Sequence, residues 1–167
     1  TAKPVLYVCN VDEASAAAGN RFSAVVAERA KAEGAAVVVI SAKIESELAG
    51  LADDERQAFL AEMGLEEPGL NRLIRAGYNL LDLVTFFTVG PKEARAWTVS
   101  RGTRAPQAAG VIHTDFEKGF IRAETIAYAD YVAYKGEAGC RDAGKMRLEG
   151  KEYVVQDGDV MHFRFAN

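Results

Sequence analysis

Two stretches, VLYVCNVDE at residues 5–13 and AAVVVISAK at residues 35–43, decide the fold of the first half of the chain. Each is a run of apolar residues that ends abruptly in polar ones, as expected of a strand buried on both faces of a parallel sheet. Between them, residues 21–34 place apolar side chains at helical spacing and end in Gly34, where a helix would stop. Strand, helix and strand together predict a right-handed βαβ unit.

Three helices follow, and the pattern predicts no further strand before residue 82. The segments are IESELAG (44–50), DDERQAFLAEMG (53–64) and EPGLNRLIRAGYNLLDL (67–83). Asp53 or Asp54 is expected to cap the second helix, and Pro68 to open the third. The first half is therefore an α/β segment that ends in helices.

From residue 83 onward, the spacing of the apolar residues changes from a helical pattern to a strand pattern. LVTFFTVG (83–90) and EARAWTVS (93–100) predict a hairpin, and APQAAGVIHTDFEKG (105–119) predicts one helix. FIRAETIA (120–127) has a strand pattern, YADYVAYKGEAGCRDAG (128–144) is helical with glycine breaks, and KEYVVQDGDVMHFRF (151–165) predicts a second hairpin around Gly158. Locally paired strands, a helix and more strands predict a small α+β domain of the β-grasp kind.

Composition narrows the class of protein. The chain has 167 residues, is 49% hydrophobic and 26% charged, and carries a net charge of −4, so no global charge attracts it to nucleic acid or anionic membrane. Residues 1–82 hold 8 Lys and Arg against 13 Asp and Glu, a net charge of −5, whereas residues 83–167 hold 12 against 11 and reach +1. No apolar run is long enough to span a bilayer, and two distant cysteines indicate a reducing cytoplasm.

Polar side chains follow both strands of the predicted βαβ unit, at the sheet edge where open α/β sheets bind ligands. Six residues form this candidate base site: Asn10, Val11, Glu13, Ser41, Ala42 and Lys43. The usual guanine reader is Asn-Lys-x-Asp, but Val11 and Glu13 replace its Lys and Asp here. An asparagine amide can pair with adenine N6 and N7, so the guanine expectation weakens and adenine stays open. The alternative is that Asn-x-Asp merely forms a turn.

Two further motifs are set aside. GCRDAGKM (139–146) has the Gly-x4-Gly-Lys skeleton of a phosphate-binding loop, but Met146 stands where a Ser or Thr hydroxyl is needed. Its flanks also lack the strand and the helix that such a loop joins, so we interpret its glycines as ordinary loop glycines. His113 and Asp115 could form a catalytic or metal pair, yet a histidine at a helix terminus is the better interpretation. No metal site is predicted.

Five cations of the second half form a candidate patch for RNA or a partner: Lys118, Arg122, Lys145, Arg147 and Lys151. Converging Lys and Arg side chains bind RNA phosphates. Acidic residues interleave with these cations, so the alternative is a solvated surface of mixed charge. The neighbouring aromatic residues are assigned to the core, and they are Phe86, Phe87, Trp97, Phe120 and Phe163.

Five longer segments of the chain resemble a known family. They are NVDE, SAKIESEL, GLEEPGLNRLIRAGYNLLDLVTFFTVGPKEARAWTV, APQAAGVIHTDFEKGFIRAE and EGKEYVVQDGDVMHFRF. Together they are similar to the C-terminal portion of the YchF (Obg-like) ATPases, over essentially the whole chain. The resemblance implies a branch of the P-loop GTPase superfamily that prefers ATP to GTP, associates with ribosomes, and ends in a TGS domain of ubiquitin-like β-grasp form.

On this resemblance, residues 1–82 are the C-terminal part of the nucleotide domain and residues 83–167 are the TGS domain. The residues around Asn10 match the family's base-recognition motif, and those around Lys43 match its last nucleotide motif. The phosphate-binding loop, switch segments and helical domain would lie before Thr1. We therefore expect ATP (or GTP) and Mg²⁺ to act in a longer protein, no nucleotide to bind this chain tightly, and no hydrolysis by this chain alone.

Two expectations about partners follow. The missing strands should leave an uncovered sheet edge, through which the chain could associate with itself. The resemblance also implies a ribosome partner in the cytoplasm and no membrane. The alternative, from a different class, is a β-grasp interaction module with no nucleotide role, in which Asn-x-x-Glu is only a turn.

Overall fold

Residues 3–166 are described by a computed structural model of the chain, and they divide into two units, one ending at Leu81 and the other beginning at Asp82. The first unit contains two strands and four helices: β1 (Leu6–Asn10), α1 (Arg21–Glu33), β2 (Ala36–Ile40), α2 (Ala42–Leu48), α3 (Asp53–Glu62) and α4 (Gly69–Leu80). A short 3₁₀ turn spans Glu13–Ser15. Strands β1 and β2 are parallel, with Leu6 opposite Ala36 and Asn10 opposite Ile40, which confirms the predicted βαβ unit.

Helix α1 begins and ends where its sequence predicts. The Asn20 side chain accepts hydrogen bonds from Phe22 N–H and Ser23 N–H, and the Ser23 hydroxyl accepts in turn from Asn20 N–H. This reciprocal pairing satisfies backbone donors that the first turn leaves free. Gly34 ends the helix in the left-handed conformation, with φ of 66°, as the C-terminal glycine predicts.

The predicted cap of α3 is wrong by one residue. The N-cap position is Ala52, and Asp53 is the first helical residue. The Glu55 carboxylate accepts a hydrogen bond from Ala52 N–H at 3.1 Å, so a residue inside the helix closes its first turn. Asp53 and Asp54 then lie beside the positive end of the helix dipole, where their charges are favourable without capping.

The two edges of the small β1–β2 sheet differ. Val11 N–H donates to Ile40 O at 2.9 Å, so the Val39 carbonyl points to the opposite side of β2, and Arg72 of α4 donates to it at 3.0 Å. Among residues 3–166, no strand pairs with the outer edge of β1. Apolar side chains beside β1 are exposed, including Val8 at 45% and Phe22 at 65%. The outer edge of β2 is partly covered by Arg72, whereas the outer edge of β1 has no strand partner in the described residues.

The second unit holds nine elements: β3 (Leu83–Val89), β4 (Ala94–Ser100), α5 (Ala105–Ile112), α6 (Thr114–Lys118), β5 (Phe120–Ala127), α7 (Tyr128–Ala133), α8 (Glu137–Asp142), β6 (Arg147–Glu149) and β7 (Asp159–Phe165). The five strands form one mixed sheet in the order β4-β3-β7-β5-β6. Strands β3 and β7 are parallel, and the other pairs are antiparallel. The hairpin predicted around Gly90 is confirmed.

Both faces of this sheet are packed by helices. The main core lies on the α5 side, where Phe86 and Ala109 are fully buried and Phe163 is nearly so. A smaller cluster on the other face joins Ile126 and Val160 to the fully buried Cys140 of α8. The prediction that Phe86, Phe120 and Phe163 belong to the core is confirmed, while Phe87 and Trp97 are half-buried against it.

Two predictions for the second half are corrected. Residues 105–119 form two helices, because His113 adopts an extended conformation that ends α5 and caps α6. The hairpin predicted at residues 151–165 does not form, and only its second arm is a strand. Val155 N–H donates to Thr103 O at 3.0 Å and Ala105 N–H to Tyr153 O at 2.8 Å, so the first arm is held by the start of α5 instead of by β7.

A close backbone approach fixes the end of β7. Ala166 N–H donates to Gly119 O at 2.8 Å, and a Cβ atom on Gly119 would lie 2.1 Å from Ala166 O. We predict that Gly119→Ala lowers the free energy of unfolding by about 1–3 kcal/mol, since the backbone must move to relieve the overlap. Urea denaturation followed by circular dichroism measures this. Gly150→Ala, whose Cβ meets nothing within 4 Å, is the control, and equal midpoints for both variants would contradict the prediction.

Candidate nucleotide-base site

The parallel register of β1 and β2 places the two polar loops side by side. Asn10 lies opposite Ile40 at the carboxyl ends of the strands. The Asn10 side-chain oxygen accepts a hydrogen bond from Ala42 N–H at 2.9 Å, across 32 positions of sequence. This bond ties the loop after β1 to the first turn of α2, where backbone N–H groups have no partner within the helix.

A second link joins the same loops. Lys43 Nζ pairs with the Glu13 carboxylate, and both side chains are partly exposed, at 66% and 38%. The hydrogen bond from Lys43 lowers the pKa of Glu13, and the same contact raises the pKa of Lys43. Glu13 is therefore held as a carboxylate whose charge is already balanced within the site.

Ser41 differs from its neighbours because it is 2% exposed. Its hydroxyl has no hydrogen-bond partner among residues 3–166, and it makes no side-chain cap for α2 although it occupies the N-cap position. A buried hydroxyl without a partner is costly. The Ser41 side chain is therefore not presented to a ligand at the surface, whereas Ala42 and Lys43 are exposed.

An apolar groove of about 280 Å³ adjoins the loop after β1. Val8, Val11, Phe22 and Val26 line it, and Asn10 stands at its rim with Asn20. Asn10 is exposed, and its amide nitrogen has no hydrogen-bond partner among residues 3–166, so its two N–H donors are available to a ligand. The site thus combines an amide, an ion pair and apolar contact area.

Sequence reasoning missed two residues that position these loops. Asp12 accepts from Ser15 N–H at 2.9 Å and caps the 3₁₀ turn that carries Glu13. Glu45 accepts from Gly69 N–H at 2.7 Å and from Leu70 N–H at 3.2 Å, which anchors α4 against α2. The capping rule would have found Asp12, but no local pattern indicates the contact between Glu45 and Gly69 across 24 positions.

The five predicted patch cations do not converge. Strand alternation in β5 puts Arg122 on the same sheet face as Glu124, while Arg147 lies opposite Thr125 on the other face. Three of the cations have carboxylate partners: Arg122 with Glu124, Lys145 with Asp130, and Arg147 with both Glu149 and Asp159. Lys118 ends α6 and Lys151 lies in a turn, both exposed. The role of these residues in RNA binding stays a prediction.

The two motifs that were set aside stay outside the site. GCRDAGKM begins inside α8, which is preceded by α7 and not by a strand, so it is not a phosphate-binding loop. His113 accepts a hydrogen bond from Asp115 N–H at 3.2 Å, which confirms a histidine at a helix terminus. Among residues 3–166, no group of three or more His, Cys, Asp and Glu side chains could hold a metal ion.

No helix in the described part of the chain is both long and apolar enough to cross a membrane.

Comparison with known proteins decides the family. Residues 83–166 match the family model YchF-GTPase_C, whose description is "Protein of unknown function (DUF933)". The chain belongs to the YchF family. Among curated relatives of this YchF chain, the ribosome-binding ATPase YchF of Pasteurella multocida is 62% identical over 165 residues and that of Bacillus subtilis is 58% identical over 167. These matches cover 99% of the chain but only 45% and 46% of the relatives, so the chain spans less than half of their length.

Solved structures give the same family. The Schizosaccharomyces pombe YchF GTPase superimposes with a TM-score of 0.82 at 38% identity, over 98% of this chain and 44% of that one. A GTP-binding protein from Pyrococcus horikoshii superimposes with a TM-score of 0.65 at 20% identity, over 98% of this chain and 46% of that one. The second likeness concerns the fold alone. Both units therefore have the mixed α/β architecture of the C-terminal region of YchF proteins.

The ion pair in the site makes a prediction about titration. Because Lys43 lowers the pKa of Glu13, the pair is intact above the ordinary glutamate value of 4.5 and is lost as the pH falls through the lowered pKa. We predict that Lys43→Met raises the pKa of Glu13 towards 4.5, as measured by carboxyl ¹³C chemical shifts in an NMR titration. Lys31→Met, on the exposed side of α1, is the control, and an unchanged Glu13 titration in the Lys43 variant would refute the pair.

Proposed function

We propose that this chain supplies the base-recognition loops of a ribosome-binding, ATP-hydrolysing protein of the YchF family. The observation that carries the proposal is the Asn10–Ala42 hydrogen bond, which joins the two polar loops into one surface at the carboxyl end of a parallel sheet. Ligands of open α/β sheets bind at that position. Curated relatives 58–62% identical to the chain bear the name ribosome-binding ATPase, and we extend that activity to the longer protein.

We further propose that the base is adenine in preference to guanine. A guanine reader needs a carboxylate that accepts from two donors of the base, but the Glu13 carboxylate is paired with Lys43. Adenine presents one donor and one acceptor, and an asparagine amide matches both. The Asn10 oxygen already accepts from Ala42 N–H and retains a second lone pair for the adenine amine, while its N–H donors are free for N7.

The two units take separate roles in this proposal. Residues 1–82 form the C-terminal part of the nucleotide domain, and residues 83–167 form the TGS domain. A β-grasp fold is supported by the sheet order β4-β3-β7-β5-β6, by the parallel pairing of the first and last strands of the unit, and by the packing of α5 across one face. The TGS domain would contact the ribosome, its RNA or an associated protein, and the protein would act in the cytoplasm.

Phosphate chemistry is assigned to residues outside this chain. In phosphoryl transfer, Mg²⁺ bridges phosphate oxygens and neutralises the charge that develops on them. Residues 3–166 include no cluster of three or more His, Cys, Asp and Glu side chains that could hold a metal ion, and we assign no Mg²⁺ ligand here. We propose that residues 1–167 alone hydrolyse neither ATP nor GTP.

Calorimetry on the longer protein, extended to the length of its relatives, tests the proposal. ATP should bind more tightly than GTP, and Asn10→Ala should weaken ATP binding by roughly tenfold to a hundredfold, because a bidentate amide–adenine pair contributes about 1–3 kcal/mol. Asn71→Ala, an exposed asparagine of α4, is the matched control.

A Lys43 variant tests the preference for adenine over guanine. Lys43→Met frees the Glu13 carboxylate for guanine donors, so the preference for ATP over GTP should narrow while Asn10 still binds adenine. Equal binding of both nucleotides, unchanged by Asn10→Ala, would contradict the assignment of the base site. It would favour an interaction module without a nucleotide role.

A further inference from the structure

The outer edge of β4 presents backbone groups that face away from the sheet. In the β3–β4 hairpin, Gly90 N–H donates to Glu93 O at 2.8 Å and Arg101 N–H donates to Asp82 O at 2.7 Å. Hydrogen-bonded and non-hydrogen-bonded pairs alternate in an antiparallel ladder, so Ala94 and Ala96 direct their N–H and C=O groups outward. Strand β4 ends the sheet, and no other segment of residues 3–166 pairs with these two residues.

An apolar groove runs beside this edge. Its volume is about 330 Å³, and it is lined by Phe87, Val89, Tyr128, Tyr131 and Val160 together with the two edge alanines. Ala96 lies opposite Phe87 and Ala94 opposite Val89, so the small edge side chains leave the larger ones accessible over the top of β4. Tyr128 on the far wall is 56% exposed and lies 5.8 Å from the Phe87 ring.

The edge also carries an unbalanced positive charge. Arg95 is exposed and stacks on the ring of Trp97 at 4.1 Å. It has no carboxylate within ion-pair distance in the described part of the chain, although all six other arginines of this unit do. An acidic residue directly across from Arg95 on an added strand would complete an oppositely charged cross-strand pair.

We propose that β4 binds an extended segment of another polypeptide, which adds to the sheet as a sixth strand along residues 94–96. Only an extended chain supplies donors and acceptors at the spacing of Ala94 and Ala96. Its alternate side chains divide between two environments. Apolar residues on the α7 side lie over the groove at Phe87 and Tyr128, and an acidic residue between them faces Arg95. The recognised pattern is apolar, acidic, apolar.

Selection from a phage-displayed library of random nonapeptides on the immobilised chain tests the proposal. Peptides with the apolar–acidic–apolar pattern should be enriched on the wild-type chain. Ala96→Pro removes an N–H that the β3–β4 ladder does not use, and proline is tolerated at such edge positions. It should reduce binding of the selected peptides by about tenfold, because it removes a donor and obstructs the incoming strand. Ala96→Ser, which keeps the N–H, is the matched control.

A second variant, Arg95→Glu, leaves the backbone unchanged and tests the proposal if Ala96→Pro does not fold. Selection on Arg95→Glu should replace the central acidic residue of the enriched peptides with a basic one. Absence of enrichment, or enriched peptides that bind both Ala96→Pro and Arg95→Glu as well as the wild type, would overturn the proposal. Sedimentation showing a dimer that Ala96→Pro dissociates would also overturn it, since a second copy would then occupy the edge.

Discussion

The hydrogen bond from Ala42 N–H to the Asn10 side chain is the contact on which the candidate site depends. It exists because β1 and β2 are parallel and in a register that places Asn10 opposite Ile40. A shift of register by one residue would turn Asn10 to the other face of the sheet. The Lys43–Glu13 ion pair then joins the loops a second time. One amide and one neutralised carboxylate result, and the proposed preference for adenine over guanine rests on them.

Each of the two sheets has an edge strand, β1 or β4, with no strand partner on its outer side among residues 3–166. The β2 edge is closed by Arg72, which donates to the Val39 carbonyl, whereas β1 has no strand partner on its outer side in the described residues. Unpaired edges attract further strands. The chain spans less than half the length of its curated relatives. The β4 edge is likewise free, and it is accompanied by an apolar groove and by Arg95, which has no carboxylate partner among residues 3–166.

Sequence periodicity predicted the elements whose partners are close in the chain, and it failed where distant contacts decide. Strands β1 and β2, the Gly34 helix end and the Gly90 hairpin all follow from local pattern. The cap of α3 is a local exception, because Ala52 takes the N-cap position and its N–H donates to the Glu55 carboxylate. The hairpin at residues 151–165 was wrong because Thr103 and Ala105 hold its first arm. Arg72 and Glu45 carry no local signal, since their partners lie 33 and 24 positions away.

The central claim is that the loops after β1 and β2 read the base as one surface. An NMR titration of the longer protein with ATP, following the Asn10 side-chain amide and the Ala42 backbone amide, tests it most directly. We predict that both signals shift together and saturate at the stoichiometry that calorimetry gives for ATP, with much smaller shifts for GTP. Saturation with ATP that leaves the Asn10 and Ala42 signals unmoved would contradict the account.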